Sequence, residues 1–407
     1  MEVTARPEDL GFCKQRLENI TDWMKRYVEA GKLPGAQTLV MREGEVVYSN
    51  WTGYRDVERA QDWTGDTIAR FYSMTKPITS VALMTLYEKG LFHLDDPIER
   101  FIPAFADMRV MRKNAVSLDD TEPCRTKPTI HHLLTHCSGL TYDFNKGVLE
   151  DAYAEEKMDF MPNRGTLEDQ VERLARLPLK FEPGTRWNYG VSTDVVGRLV
   201  EVISGKSLDV YLREVILEPL GMKDTRFDVT PEMVGRFASS YTPKRDGSLR
   251  LVDRAEDSLF AEGRVQGFSG GGGLVSTVED YSKFAEMIRQ RGALGEDGPR
   301  ILGSRTVEFM MENHMPGDLA SMGQPVFSEV SFEGVGFGLG GWVMLNPAKA
   351  QMLGTPGDFG WGGLASTVFW VDPLEDLTVV FSTQLLPSSY HPLRKEIRAL
   401  VYQAMID

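Results

Sequence analysis

Ser73 and Lys76 stand three positions apart in Phe71-Tyr72-Ser73-Met74-Thr75-Lys76-Pro77. On an α-helix that spacing puts both side chains on nearly one face. A hydroxyl and an amine so placed can share a hydrogen bond across one cleft. A serine acylates when a base takes its proton and N–H donors await the oxyanion. A helix start offers such donors, because its first N–H groups have no partner and the dipole is positive there. Among the serines of the chain, Ser-x-x-Lys occurs once. Taken alone, the pair also fits a helix cap followed by a solvated lysine.

Such a pair needs a third group to move protons. Tyr189, in Trp187-Asn188-Tyr189-Gly190-Val191, follows the Pro183-Gly184 turn and precedes a helix from Ser192. A tyrosine on that loop either faces the cleft or anchors the core. Gly360-Trp361-Gly362-Gly363 lies just before an expected strand from Ser366. Its small residues suit close approach to a substrate, and a plain glycine turn is the alternative. The N–H of Leu364 would complete an oxyanion hole with that of Ser73. Tyr72, Trp361, Gly362 and Gly363 are the expected substrate contacts. A free lysine titrates near ~10.4, so Lys76 serves as a base only where burial or nearby charge lowers that value. The other route makes Tyr189 a phenolate stabilised by a cationic Lys76, and both stay open.

Three other patterns imitate sites. Gly267-Phe268-Ser269-Gly270-Gly271 fits G-x-S-x-G, but no apolar strand precedes it and glycines follow. Gly336 to Gly341 fits G-x-G-x-x-G, yet the strand Trp342–Leu345 follows where a phosphate cradle needs a helix. His131, His132 and His136 lack H-E-x-x-H and any supporting cysteine spacing. They read as packing or capping residues, so neither metal nor cofactor is expected.

The elements that position these residues follow from periodicity. Leu17, Ile20, Met24, Tyr27 and Val28 mark a helix stopped by Gly31, then strands Ala36–Met41 and Val46–Trp51. One buried helix spans Phe71–Gly90. The chain is irregular from Leu91 to about Pro128. A short helix spans His131–His136, and Thr141–Arg164 suits a flap over the cleft. Helices follow at Thr166–Leu177, Ser192–Ser204, Leu208–Ile216 and Thr277–Arg291. Strands occupy Trp342–Leu345, Ser366–Val371 and Thr378–Thr383, and a last helix runs Leu393–Met405. The expectation is an α/β domain of residues 1–75 and 330–407, with a mostly helical domain of residues 76–329 inserted. The site lies in the cleft between them.

The 407 residues suffice for two lobes. A net charge of −14 argues against nucleic-acid or anionic-membrane partners. Met1 to Phe12 contains no apolar signal-like run, and nothing is long and apolar enough for a membrane span. Cys13, Cys124 and Cys137 cannot all pair. A cytoplasmic protein with a small-molecule substrate is expected.

Ser73-Met74-Thr75-Lys76, then Tyr189, then Trp361-Gly362-Gly363 occur in the order found in class C β-lactamases, penicillin-binding proteins and family VIII carboxylesterases. The segments His132–Leu140 and Gly271–Asp280 also resemble this superfamily. The resemblance spans most of the chain and implies a class C β-lactamase-like α/β fold. It also implies acyl transfer by Ser73 with Lys76 and Tyr189. Where β-lactamases usually carry Lys-Thr-Gly, this chain has Trp361. Where they carry Tyr-x-Asn, it has Val191. Both changes match family VIII esterases, in which the G-x-S-x-G serine is not the nucleophile. The resemblance therefore implies ester hydrolysis and argues against efficient β-lactam hydrolysis while leaving room for a weak one; short acyl chains are expected because no long apolar channel is legible in the sequence. The alternatives are an acyltransferase, a β-lactamase or D-amino peptidase using the same residues, and a non-catalytic binding protein on the same fold.

Overall fold

The computed structural model describes residues 1–327 and 330–406. At its centre is an eight-stranded antiparallel sheet drawn from two distant parts of the chain. The first part gives β1 (Gly35–Arg42), β2 (Glu45–Asp56) and β3 (Gln61–Asp62). The second gives β4 (Val335–Phe337), β5 (Trp342–Met344), β6 (Phe359–Gly362), β7 (Val368–Asp372) and β8 (Leu377–Thr383). The order is β4-β5-β6-β7-β8-β1-β2-β3. The seam between the two parts pairs Ala36 with Thr383 and Val40 with Val379.

Every residue of β8 is buried, because helices cover both faces of the sheet. Successive strand side chains point to opposite faces. Val379 and Phe381 therefore pack with Leu17 and Trp23 of α1 (Lys14–Glu29) and with Ile397 of the last helix. Val380 and Phe369 turn the other way, into the core that also holds Tyr281 and Phe284 of the helix Val278–Arg289. That helix lies within the segment expected to form the helical lobe, yet it packs on the sheet. Thr277 caps it, accepting from the Asp280 N–H at 3.1 Å.

The expected single helix over Phe71–Gly90 is two pieces. A 3-10 turn, Tyr72–Met74, leads into α2 (Thr75–Tyr87). Tyr72 has φ +42°, outside the helical region. Pro77 has no N–H to give the Ser73 carbonyl, so the α-helical ladder starts later. Residues Thr75 to Leu86 are all buried, which makes α2 the central post of the helical part. It packs against α3 (Ser192–Ser204), whose bounds match the expectation.

Other bounds moved. Leu208–Leu212 is α-helical and continues as a π turn, Arg213–Leu217. The region expected to be irregular contains a hairpin, Arg109–Met111 with Thr121–Pro123. The last helix ends at Tyr402. β6 itself was not expected, because its glycines read as a turn.

Candidate active site

Lys76 is fully buried and its ammonium is held from several sides. Nζ lies 3.3 Å from Ser73 Oγ, 2.9 Å from Tyr142 Oη and 2.7 Å from the Gly271 carbonyl oxygen. It also sits 4.6 Å from the centre of the Tyr189 ring. Ser73, Lys76 and the expected Tyr189 are thus brought together. Tyr142, a further phenol at the lysine, went unnoticed in the sequence. Burial, then the nearby Tyr189 and Asp194, hold the Tyr142 phenol well above its ordinary value.

Helix α4 (Val278–Arg289) fixes the turn that carries Ser73. Tyr281 Oη donates to the Met74 carbonyl at 2.8 Å, and the Tyr281 ring stacks on Phe71 with centroids 5.1 Å apart. From the sheet side, β6 approaches so closely that a Cβ on Gly363 would lie 2.3 Å from the Phe71 carbonyl oxygen. Glycine there lets the end of the strand lie against the Ser73 turn. Ser73, Gly362, Gly363 and Leu364 consequently line one cavity of about 210 Å³.

Tyr142, Asp143, Phe144 and Asp159 to Pro162 form another wall, so both ends of the expected flap reach the cavity. Tyr72 lines it too, with its ring 6.0 Å from that of Phe260, and burial raises its phenol to about 12. Trp361 is different. It is only 3% exposed and does not line this cavity. Its Nε1 donates to Tyr189 Oη at 3.3 Å, so it stands behind the tyrosine. Phe337 and Trp342 enclose it, with ring centroids 5.3 Å and 6.0 Å away.

Ser269 also lines the cavity, but its hydroxyl is committed elsewhere. Oγ donates to Asp194 Oδ1 at 2.5 Å, and the same oxygen accepts from the Gly271 N–H at 3.0 Å. No strand leads into Ser269, and turn residues follow it, so the strand–turn–helix frame of a nucleophile elbow is missing. Burial raises the Asp194 carboxyl, while the Lys76 charge and the two donors pull it back. A Cβ on Gly271 would meet Asp194 Oδ2 at 2.4 Å, so this loop needs glycine to reach both the acid and the lysine.

The histidines have structural partners. The Thr129 N–H donates to His132 Nδ1 at 3.2 Å in a capping box. His131 faces His314 at 3.2 Å, and burial lowers His131 to about 4. His136 packs 5.0 Å from the Tyr189 ring; burial, then the Lys76 charge, hold it well below its ordinary value. Among the described residues no cluster of three or more His, Cys, Asp or Glu could hold a metal ion. The glycines of the G-x-G-x-x-G pattern join β4 to β5 and open no helix.

A hydroxyl beside a buried amine, two phenols, and a glycine-edged strand against the hydroxyl's own turn make an arrangement fit for acyl transfer. Esterase EstB of Burkholderia gladioli is 31% identical over 420 residues, covering 99% of this chain and 98% of its own. Acyltransferase mokF of Monascus pilosus is 29% identical over 393 residues, covering 92% of this chain and 91% of its own. The solved structure of EstCE1, described as a hydrolase with promiscuous acyltransferase activity, is 26% identical. It superposes with a TM-score of 0.80 over 95% of this chain and 99% of that one. Among the described residues no helix is long and apolar enough to cross a membrane. The Beta-lactamase family model matches residues 20–403, and the chain belongs to that family of serine hydrolases as a family VIII esterase-like member.

Proposed function

We propose that this protein is a serine carboxylesterase that hydrolyses short-chain esters through an acyl-enzyme on Ser73. The observation that carries the reading is the buried Lys76 nitrogen within reach of Ser73 Oγ and against the Tyr189 ring. Ser73 Oγ attacks the ester carbonyl carbon, and its proton passes to the Lys76–Tyr189 pair, either to a neutral Lys76 amine or to a Tyr189 phenolate held by a cationic Lys76. The N–H groups of Ser73 and Leu364 hold the oxyanion. As the tetrahedral species collapses, the C–O bond to the alcohol breaks and the pair returns the proton to the departing oxygen. Water then attacks the acyl-enzyme by the same steps in reverse order, releasing the acid and restoring Ser73.

The test is mass spectrometry of the intact protein after a fluorophosphonate or a short-chain p-nitrophenyl ester. A covalent adduct is expected on the wild type and on Ser269→Ala, and none on Ser73→Ala. Loss of the adduct with Ser269→Ala alone would overturn the mechanism. No adduct on any of the three would favour a binding protein.

A transferase using the same acyl-enzyme is the second reading, supported by the likeness to the mokF acyltransferase over most of both chains. An added alcohol or amine acceptor that diverts the acyl group from water would identify it. Efficient β-lactam hydrolysis is disfavoured, because a neutral, buried indole stands where β-lactamases usually place a lysine.

A further inference from the structure

Behind Trp361 lies a second, smaller chamber of about 40 Å³. Its walls are mostly apolar, with Trp342, Trp361, Phe332, Met344 and Met352 among them, and the side chains of Arg394 and Arg398 complete them. It meets the Ser73 cavity at Phe327, Gly362 and Arg394, which line both spaces. A Cβ on Gly362 would fall 2.6 Å from the Arg394 guanidinium, so glycine lets that side chain lie across the seam. One water needs roughly 10–15 Å³ on this measure, so the chamber holds about three water-sized groups.

The position of the chamber selects which arm of an ester could enter. Trp361 forms part of its wall and holds Tyr189 Oη from behind. Phe327, at the seam, has its ring 4.9 Å from the Tyr189 ring. At Phe327 the seam therefore reaches the side of the Ser73 cavity that Tyr189 lines, with Trp361 between the tyrosine and the chamber. In the acyl-enzyme reading, on which this inference rests, the group beside Tyr189 is the departing alcohol. The oxyanion donors sit on Ser73 and Leu364 instead.

We infer that this chamber receives the alcohol arm of the ester, and that it suits an apolar arm of about three carbons. In the transferase reading the same chamber takes the acceptor alcohol. Each methylene buried there raises kcat/KM about fourfold, and carbons beyond the chamber's capacity gain nothing.

The test compares two ester series on the intact protein. One keeps an acetyl group and lengthens the alcohol from methyl to hexyl. The other keeps the alcohol as methyl and lengthens the acyl chain. The alcohol series is expected to rise about fourfold per carbon to near propyl and then level off. Met352 lies at the half-buried edge of the chamber, where replacement is tolerable. Met352→Ala is expected to move the optimum to a longer alcohol, and Met352→Trp to cancel the rise, with the acyl series unchanged in both. A flat alcohol series with measurable turnover overturns the chamber's role and leaves the acyl-enzyme intact. So does a Met352→Ala effect confined to the acyl series. Absence of any Ser73 adduct overturns the acyl-enzyme reading, and the chamber's role falls with it.

Discussion

The indole N–H of Trp361 reaches the phenol oxygen of Tyr189 at 3.3 Å, and both rings are nearly removed from solvent. A donor aimed at that oxygen favours negative charge on it. Trp361→Phe keeps most of the apolar area and deletes the donor. One hydrogen bond is worth about 0.5–1.5 kcal/mol, so kcat should fall roughly two- to tenfold with little change in KM. Steady-state kinetics on one ester decides this, and a change confined to KM would contradict it.

Tyr142→Phe removes an oxygen 2.9 Å from the Lys76 ammonium while leaving the Gly271 carbonyl in place. Hydrogen bonds to charged groups are worth about 1.5–3 kcal/mol, so kcat should drop at least roughly tenfold. The Tyr142 phenol is held well above its ordinary value, mainly by burial, so it stays protonated at working pH. The pH profile of the variant should keep the wild-type shape. A lost limb would mean that Tyr142 itself carries a proton during turnover.

Ser269→Ala deprives the buried Asp194 of its 2.5 Å donor and leaves the Gly271 N–H as a partner. Denaturant titration should show a loss of about 1.5–3 kcal/mol. Labelling of Ser73 should persist. Unchanged stability would contradict the structural role assigned to this serine.

Gly271→Ala forces a Cβ to within 2.4 Å of Asp194 Oδ2. Relief must move either the acid or the loop whose carbonyl accepts from Lys76 at 2.7 Å. Overpacking of this kind costs about 1–3 kcal/mol. Activity should fall by more than the stability loss explains, since the lysine loses an anchor. A stable, fully active variant would count against that anchor.

Asp358 is fully buried, accepts from Arg398 Nη2 at 2.5 Å, and has its carboxyl raised to about 6. Burial is the main cause, Arg398 opposes it and Asp372 adds to it. The folded protein therefore binds this proton more tightly than the unfolded chain, whose carboxyl titrates near ~3.9. The stability contribution is full below about pH 4 and is lost as pH rises through about 6. Asp358→Asn should remove that slope, which amounts to roughly 2–3 kcal/mol across the window. Denaturation of both proteins at pH 4, 5, 6 and 7 measures it. Parallel curves would contradict the raised value.

The sequence disclosed the parts of the site that depend on short-range order. Ser73 and Lys76 sit at one spacing on one element, and Tyr189 sits on a loop whose turn residues are legible. Tyr142 was hidden because nothing local links it to Lys76; only the fold brings the two together, 66 positions apart. Trp361 is legible as a site residue, but its place behind Tyr189 rather than on the Ser73 cavity is not. A strand residue has two faces, and which one meets the cavity depends on register with neighbouring strands. β6 escaped notice for a related reason. Its glycines weaken the strand pattern, and their purpose is the close approach of Phe71 and Arg394, which lie far away in sequence. The helix Val278–Arg289 was found with its cap, while its docking on the sheet was not legible from its own pattern.

The seam between β1 and β8 carries a consequence for how the protein is made. The Thr383 hydroxyl donates to the Gly35 carbonyl across 348 positions of chain. During synthesis β1 waits unpaired on that side until the chain has emerged through Thr383. Long loops of this kind close slowly, and waiting edges invite capture by other chains. The end of β6 that lies against Ser73 belongs to the same late-arriving part. Under the proposed acyl-enzyme chemistry, reaction with an ester probe requires this part to be in place, so the probe doubles as a clock for assembly.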